Sequence, residues 1–353
     1  MIQKTKLLII RFSSFGDIVQ AVSIPHHFSE NFLNSEVHWL VRDDYVELLE
    51  PQSSITRVIS FSRKSGTMGL LKLAWNLFRE DYTHVYDAHN NVRSNLVSFV
   101  FFLRKTLSYF TLKPKSFEYI QRPKHRIKRF FLFNFHINKF ETPYIASFSF
   151  LEPLTKWGIG YNKRNLLGLN RFQISYSARD KAAVVLRELG LERFEFICLV
   201  PSAAWKMKRW PVSHWRKLVQ KSPQQKFIIL GGPKDRFCRD IAAVAPDRVF
   251  NLCGELTLIE SCAMIELSKK VISGDTGLLH VADQMQVSCI ALIGPTAFGY
   301  PASPRSITMH RNLECQPCSK DGRGKCSNKV YQKCLVDIRP EHVIGRAFDE
   351  SVS

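Results

Sequence analysis

Short apolar runs, each giving way to a helical stretch, recur along the whole chain, and no other feature of the sequence restricts the fold as tightly. In the first half they are Leu7–Phe12, Val37–Val41, Val58–Phe61 and His84–Asp87. In the second they are Phe196–Val200, Phe227–Leu230, Val249–Leu252, Val271–Ser273 and Val287–Ile293. Strands alternating with helices build βαβ units, and these build parallel sheets covered on both faces. The rhythm breaks at Trp157–Ser177, where Gly158, Gly160, Asn162, Asn165, Gly168 and Asn170 mark a linker. A chain of 353 residues can fill two cores of ordinary size. The expectation is therefore an α/β protein of two doubly wound parallel-sheet domains, 1–165 and 166–353, facing a cleft.

Composition narrows the class. Hydrophobic residues make up 45% and charged residues 23%, which excludes a disordered chain. No apolar run approaches the roughly 18–20 residues of a membrane span. The N-terminus has no small-residue cleavage site, so a cytoplasmic protein is expected. The formal net charge of +19 calls for an acidic partner: nucleic acid, an anionic membrane or a polyanionic substrate. Much of the imbalance lies between Arg104 and Lys139, where ten Lys/Arg face a single acid, Glu118, with phenylalanines interleaved. A solvated helix face accounts for the aromatics behind it but not for that asymmetry of sign. The stretch reads as an anion-binding surface.

Four loops carry candidate chemistry. In "RFSSFGDIVQ" (11–20), Asp17 stands where a strand ends and a helix begins. It reads either as a helix N-cap or as a carboxylate at the sheet's carboxyl edge, where α/β proteins bind ligands. "VPSAAWKMKRWPVSHW" (200–215) sets Lys206, Lys208 and Arg209 before a helix opened by Pro211. Cations beside a helix N-terminus are unfavourable unless an anion joins them. "ILGGPKDR" (229–236) offers a Gly231-Gly232 turn but no Gly-x-Gly-x-x-Gly fingerprint, so a dinucleotide fold is not supported. "VISGDTGLLHVAD" (271–283) turns through Gly274, Asp275, Thr276 and Gly277 into a helix bearing His280. That turn suits a pyrophosphate, while Asp275 as a cap and His280 as a packed residue suit it equally.

Nine cysteines complete the inventory. Cys198, Cys238, Cys253, Cys262 and Cys289 are scattered as buried small hydrophobes would be. Cys315, Cys318, Cys326 and Cys334 cluster with a spacing that begins like a zinc knuckle. A structural zinc and four reduced thiols that pin nothing are both open readings.

Taken in order, "RFSSFGDIVQA", "KRWP", "GGPKDR", "GDTGLLHVAD" and "ALIGPT" resemble the heptosyltransferases of the lipopolysaccharide core, glycosyltransferase family 9, from about residue 6 to 344. The resemblance implies a GT-B architecture with two Rossmann-like domains. It also implies inverting transfer of heptose from ADP-heptose to a lipid-anchored acceptor, without a catalytic metal. On it, Asp17 matches the base, Lys208 the phosphate-binding lysine, and Asp275, Thr276, Gly277 and His280 the donor motif. Ser14, Gly16, Gly231 and Gly232 are expected at the donor as well. Lys124, Arg126, Lys128 and Arg129 are expected to meet an anionic acceptor and the inner membrane's cytoplasmic face. A transferase using another nucleotide sugar fits the same motifs. A nucleic-acid-binding protein fits the charge but leaves the two Gly-Asp turns unexplained.

Overall fold

The computed structural model describes residues 5–109, 116–161 and 172–348. The chain divides into two compact units, Met1–Lys124 with Ser147–Leu166, and His125–Ala146 with Leu167–Ser353. The middle of the expected linker, residues 162–171, lies outside the described residues, as do Phe110, Lys113 and Lys115.

Unit 1 is built on five parallel strands, β1 (Lys6–Ile10), β2 (Glu36–Arg42), β3 (Arg57–Phe61), β4 (His84–Asp87) and β5 (Glu118–Gln121), in the order β3-β2-β1-β4-β5. Leu7 to Ile10 are completely buried, as a central strand covered on both faces must be. The strand order reverses between β1 and β4, which run in register from Leu7↔His84 to Ile10↔Asp87. Open α/β sheets bind ligands in the crevice beyond such a reversal. The loops after Ile10 and Asp87 therefore meet where a site is expected.

Unit 2 repeats the plan with β6 (Phe196–Val200), β7 (Lys226–Ile229), β8 (Val249–Asn251), β9 (Lys270–Gly274), β10 (Cys289–Leu292) and β11 (Ser306–Met309). Their order is β11-β10-β9-β6-β7-β8, all parallel, and it reverses between β6 and β9. Trp210 and Trp215, with ring centroids 4.9 Å apart, fill one face together with Leu218, Ile229 and Leu335. Each such side chain contributes roughly 1.5–3 kcal/mol by leaving water.

Residues 125–146 fall inside the expected first domain, yet they pack with unit 2. Phe133, Phe140 and Tyr144 surround the ring of Phe298 at centroid distances of 5.0–6.0 Å. The basic stretch is thus split. Lys124 belongs to unit 1, whereas Arg126, Lys128 and Arg129 stand on the helix Arg126–Phe135 of unit 2. Among the described residues no helix is long and apolar enough to cross a membrane.

Candidate functional site

The β1/β4 crevice of unit 1 holds Asp17. Ser14, not Asp17, takes the N-cap position of the helix Phe15–Ala21, and Asp17 is its third residue. The Asp17 carboxylate accepts hydrogen bonds from the Ser14 hydroxyl at 2.7 Å and the Ser14 N–H at 3.4 Å, and it pairs with Arg11 at 2.5 Å. All three contacts fall on Oδ2. The helix cap and the charge pair therefore share one oxygen, and Oδ1 takes part in none of the three. Gly16 has a local role, its carbonyl accepting from Gln20.

Two guanidinium groups, that of Arg11 buried and that of Arg122 half-buried, organise this crevice. Arg11 donates to the Ala88 carbonyl at 2.8 Å, and Arg122 donates to the Ser149 hydroxyl at 2.6 Å with its guanidinium 3.7 Å above the Phe150 ring. The Nε of each is buried without a hydrogen-bond partner among the described residues. Burial alone would raise the Asp17 pKa, but Arg11, then Arg122 and the Ser14 hydrogen bonds, hold it well below the usual carboxylate range. His89 accepts the Phe12 N–H on Nδ1, and burial together with Arg11 pulls its pKa down to about 3. The imidazole is therefore neutral near pH 7. Asp87, fully buried at the end of β4, sets a second carboxylate beside Asp17 against the two guanidiniums.

The ion pair makes a testable statement about pH. Arg11→Gln removes the strongest charge acting on Asp17, so the carboxyl should move up towards its ordinary value near ~4. The acid limb of kcat/KM is then expected to move upward relative to the parent protein. A rate profile between pH 3.5 and 7 checks this, and an unmoved limb would detach Asp17 from the rate.

The β6/β9 crevice of unit 2 holds a second buried pair. Lys208 Nζ lies 2.9 Å from Asp275, which also accepts from the Thr296 hydroxyl at 2.7 Å and lies 3.9 Å from His280. Burial pushes the Asp275 pKa up, and Lys208, His280 and Thr296 outweigh it, leaving the carboxylate below its usual range. Asp275 is not the cap. Thr276 is, its hydroxyl accepting from the Leu279 N–H at the start of the helix Gly277–Gln284.

Backbone fit makes this crevice tight. A Cβ on Gly274 would lie 3.1 Å from the Lys208 carbonyl, and one on Gly299 would strike the Asp275 carboxylate. Beside it, Asp235 holds the Gly231-Gly232 turn by accepting from the Gly232 N–H at 2.9 Å and the Ser202 hydroxyl at 2.5 Å, while Arg209 lies 3.4 Å away. A cavity of about 370 Å³ opens next to Thr296, walled by Phe140, Tyr144, Phe298, Tyr300 and His310. Arg129 stacks 4.6 Å from Phe298 and Lys128 lies 5.8 Å from Phe140, so these two cations border that cavity's walls.

The cysteine-rich tail buttresses Lys208. Gly322, at φ +90°, packs so closely that a Cβ there would lie 2.6 Å from Lys208 Cγ. Gln332 donates to the carbonyls of Lys206 and Arg209, and Trp210 donates to Ile338. Cys315 and Cys326 accept from Asn328 and from the Gln332 N–H. Cys334 is buried in the unit 2 core, and burial, followed by the neighbouring thiols, pushes its pKa up to about 12. Among the described residues no three His, Cys, Asp or Glu side chains are grouped as metal ligands would be. The tail is held by packing and backbone hydrogen bonds.

Sequence reasoning passed over Arg11 as a partner of Asp17, and it missed Arg122, His89, Asp235, Thr296, Gly299 and Gly322. Asp235 was within reach, because it follows Gly-Gly by three residues, the reach of a side chain that closes a turn. The others lie far from their partners in sequence and carry no local signal.

Comparison with known proteins places these crevices in context. Residues 70–329 match the family model for glycosyltransferase family 9 (heptosyltransferase). A lipooligosaccharide heptosyltransferase 2 of Campylobacter jejuni is 28% identical over 149 residues, 40% of this chain and 46% of that protein. The chain spans about half the length of the first curated relatives it matches. Among solved structures, a family 9 glycosyl transferase of Veillonella parvula superposes with a TM-score of 0.75 at 18% identity, covering 97% of this chain and 96% of that one. The Escherichia coli heptosyltransferase WaaC with ADP gives 0.64 at 19% identity, covering 99% and 100%. At such identities the likeness carries the fold, the α/β GT-B class with its two parallel sheets.

Proposed function

The chain belongs to glycosyltransferase family 9, the heptosyltransferases, and from that premise we propose that it is an inverting enzyme moving heptose from ADP-heptose to the inner core of lipopolysaccharide, on Kdo-lipid A or an already heptosylated core. One observation carries the reading. The buried Lys208–Asp275 pair sits at the β6/β9 strand reversal, beside the amino end of the Gly277–Gln284 helix. A cation and free amide N–H groups at one sheet edge suit a diphosphate. A donor carrying ADP fits this end of unit 2, with Gly231, Gly232, Thr276 and Gly277 allowing close approach and His280 next to Asp275.

In this reading Asp17 is the base. Its Oδ1 takes the proton of the acceptor hydroxyl while that oxygen bonds to the anomeric carbon. The bond from that carbon to the diphosphate breaks with its electron pair, and ADP leaves against Lys208 and the helix amides. A carboxylate paired this tightly to Arg11 is a weak base at rest. An anionic acceptor that draws Arg11 or Arg122 towards itself loosens the pair and returns basicity to Asp17. The acceptor is lipid-anchored, so the enzyme works at the surface of the inner membrane facing the cytoplasm, with Lys124, Arg126, Lys128 and Arg129 adding to its anionic attraction.

The test is turnover with a panel of nucleotide sugars and defined core acceptors, each followed by mass spectrometry with and without EDTA. We expect transfer from ADP-heptose with inversion, undiminished by the chelator, since Lys208 and the helix amides supply the positive charge. Transfer from a different nucleotide sugar alone would overturn the donor assignment. Activity lost in EDTA and restored by magnesium would overturn the role given to Lys208.

A further inference from the structure

Two helices of unit 1, Gly66–Phe78 and Val92–Ser108, pack on each other through Leu70, Ala74, Phe78, Val97 and Phe101. Their other faces are left to solvent with an unusual content. Met68 is 77% exposed and Phe99 60%, and Trp75, Leu103, Leu107 and Tyr109 are exposed beside them. Along the longer helix, Val92, Asn95, Phe99, Phe102, Thr106 and Tyr109 follow at intervals of three and four, which is one continuous helix face. Seventeen residues at 1.5 Å each make that face about 25 Å long.

The charge on the same surface has one sign. From Arg63 to Arg79, and again from Val92 to Tyr109, the sequence holds seven Lys/Arg and no Asp or Glu. Arg104 stacks 3.8 Å from the Trp75 ring, and its Nη1 is buried with no hydrogen-bond partner among the described residues. A guanidinium stacked beside exposed aromatic rings suits the boundary of water and acyl chains, where its charge faces lipid phosphates.

We propose that this two-helix face is the surface through which the protein lies on an anionic phospholipid bilayer. Apolar and aromatic side chains enter the headgroup region, and the surrounding cations meet lipid phosphates. A second copy of the chain is the poorer occupant, because a self-complementary contact would press like charges together. The inference rests on the reading of a lipid-anchored acceptor and gives that acceptor's membrane a definite place on the molecule.

Flotation of the full chain with vesicles tests it without donor or acceptor sugar, so its failure leaves the transferase reading standing. Vesicles of phosphatidylethanolamine and phosphatidylglycerol are expected to carry the protein, and pure phosphatidylcholine vesicles at least about tenfold less. The triple variant Phe99→Ser, Leu103→Ser, Leu107→Ser should bind the anionic vesicles at least about tenfold more weakly. Brominated phosphatidylglycerol should quench tryptophan emission, and Trp75→Phe should remove most of that quenching. Each protein is first checked by ADP calorimetry and thermal melting. If the triple variant melts early, Phe99→Ser and Leu107→Ser singly carry the same comparison. Unchanged vesicle binding in the folded variants would overturn the proposal. So would a parent dimer that these substitutions turn into a monomer, since the face would then belong to a second copy.

Discussion

Asp17→Asn is expected to lower kcat at least about a hundredfold, the low end for loss of a general base, with ADP affinity unchanged. The substitution is close to isosteric. Asn can still accept the Ser14 hydrogen bonds that tie the third helix residue to the cap. What goes is the negative charge facing Arg11 and the lone pair on Oδ1 that would take a proton. The guanidinium keeps its bond to the Ala88 carbonyl and its place over Phe150, so the crevice retains its frame. On the proposed reading the nucleotide is bound by unit 2, so its affinity should not follow. A near-parental rate would remove Asp17 from the chemistry. A variant that melts many degrees lower with its residual rate intact would leave it as part of a capping box only.

Buried strands were legible from their apolar residues, and of the four edge strands β3 and β8 were legible too, each holding a short apolar run. β1 and β6 are almost wholly buried and appear as unbroken apolar runs, while β2, β4 and β9 are buried as well but carry His38, His84 and Ser273 among their apolar residues. β5 and β11 escaped notice, and both are edge strands. β5 reads Glu-Tyr-Ile-Gln with only Ile120 fully buried, and no residue of β11 is fully buried. Edges need not be apolar, and β5 was further hidden in the cationic stretch. The loops carrying Asp17, Lys208 and Asp275 were legible because a strand end, small residues and a helix start are local signals. What surrounds them was not. Arg122 reaches the Asp17 crevice from 105 residues away, and Gly322 presses on Lys208 across 114. Only the topology brings such pairs together. Nor does the cysteine spacing say where each thiol goes, and here Cys334 turns into the core.

Lys208→Ala should weaken ADP binding about tenfold and lower kcat by roughly a hundredfold, because one cation serves both the bound diphosphate and its developing charge on departure. The substitution also strips a buried carboxylate of its partner. Asp275 would keep Thr296 and His280 but lose the charge that most lowers its pKa, and breaking such a pair costs about 3–5 kcal/mol of stability. Stability and function must therefore be separated. In Lys208→Ala with Asp275→Asn no buried charge is orphaned, so melting should recover while ADP affinity stays low. Gly322→Ala approaches the same lysine from the other side. At φ +90° an alanine is strained, and its methyl would sit 2.6–2.8 Å from the Lys208 stem, so the ammonium must move although its charge is kept. Calorimetry with ADP and single-turnover rates on the three proteins decide the matter. If the double variant regains ADP affinity with its stability, the lysine only neutralises Asp275. If it does not, and Gly322→Ala also loses kcat, the position of that ammonium is what the reaction uses.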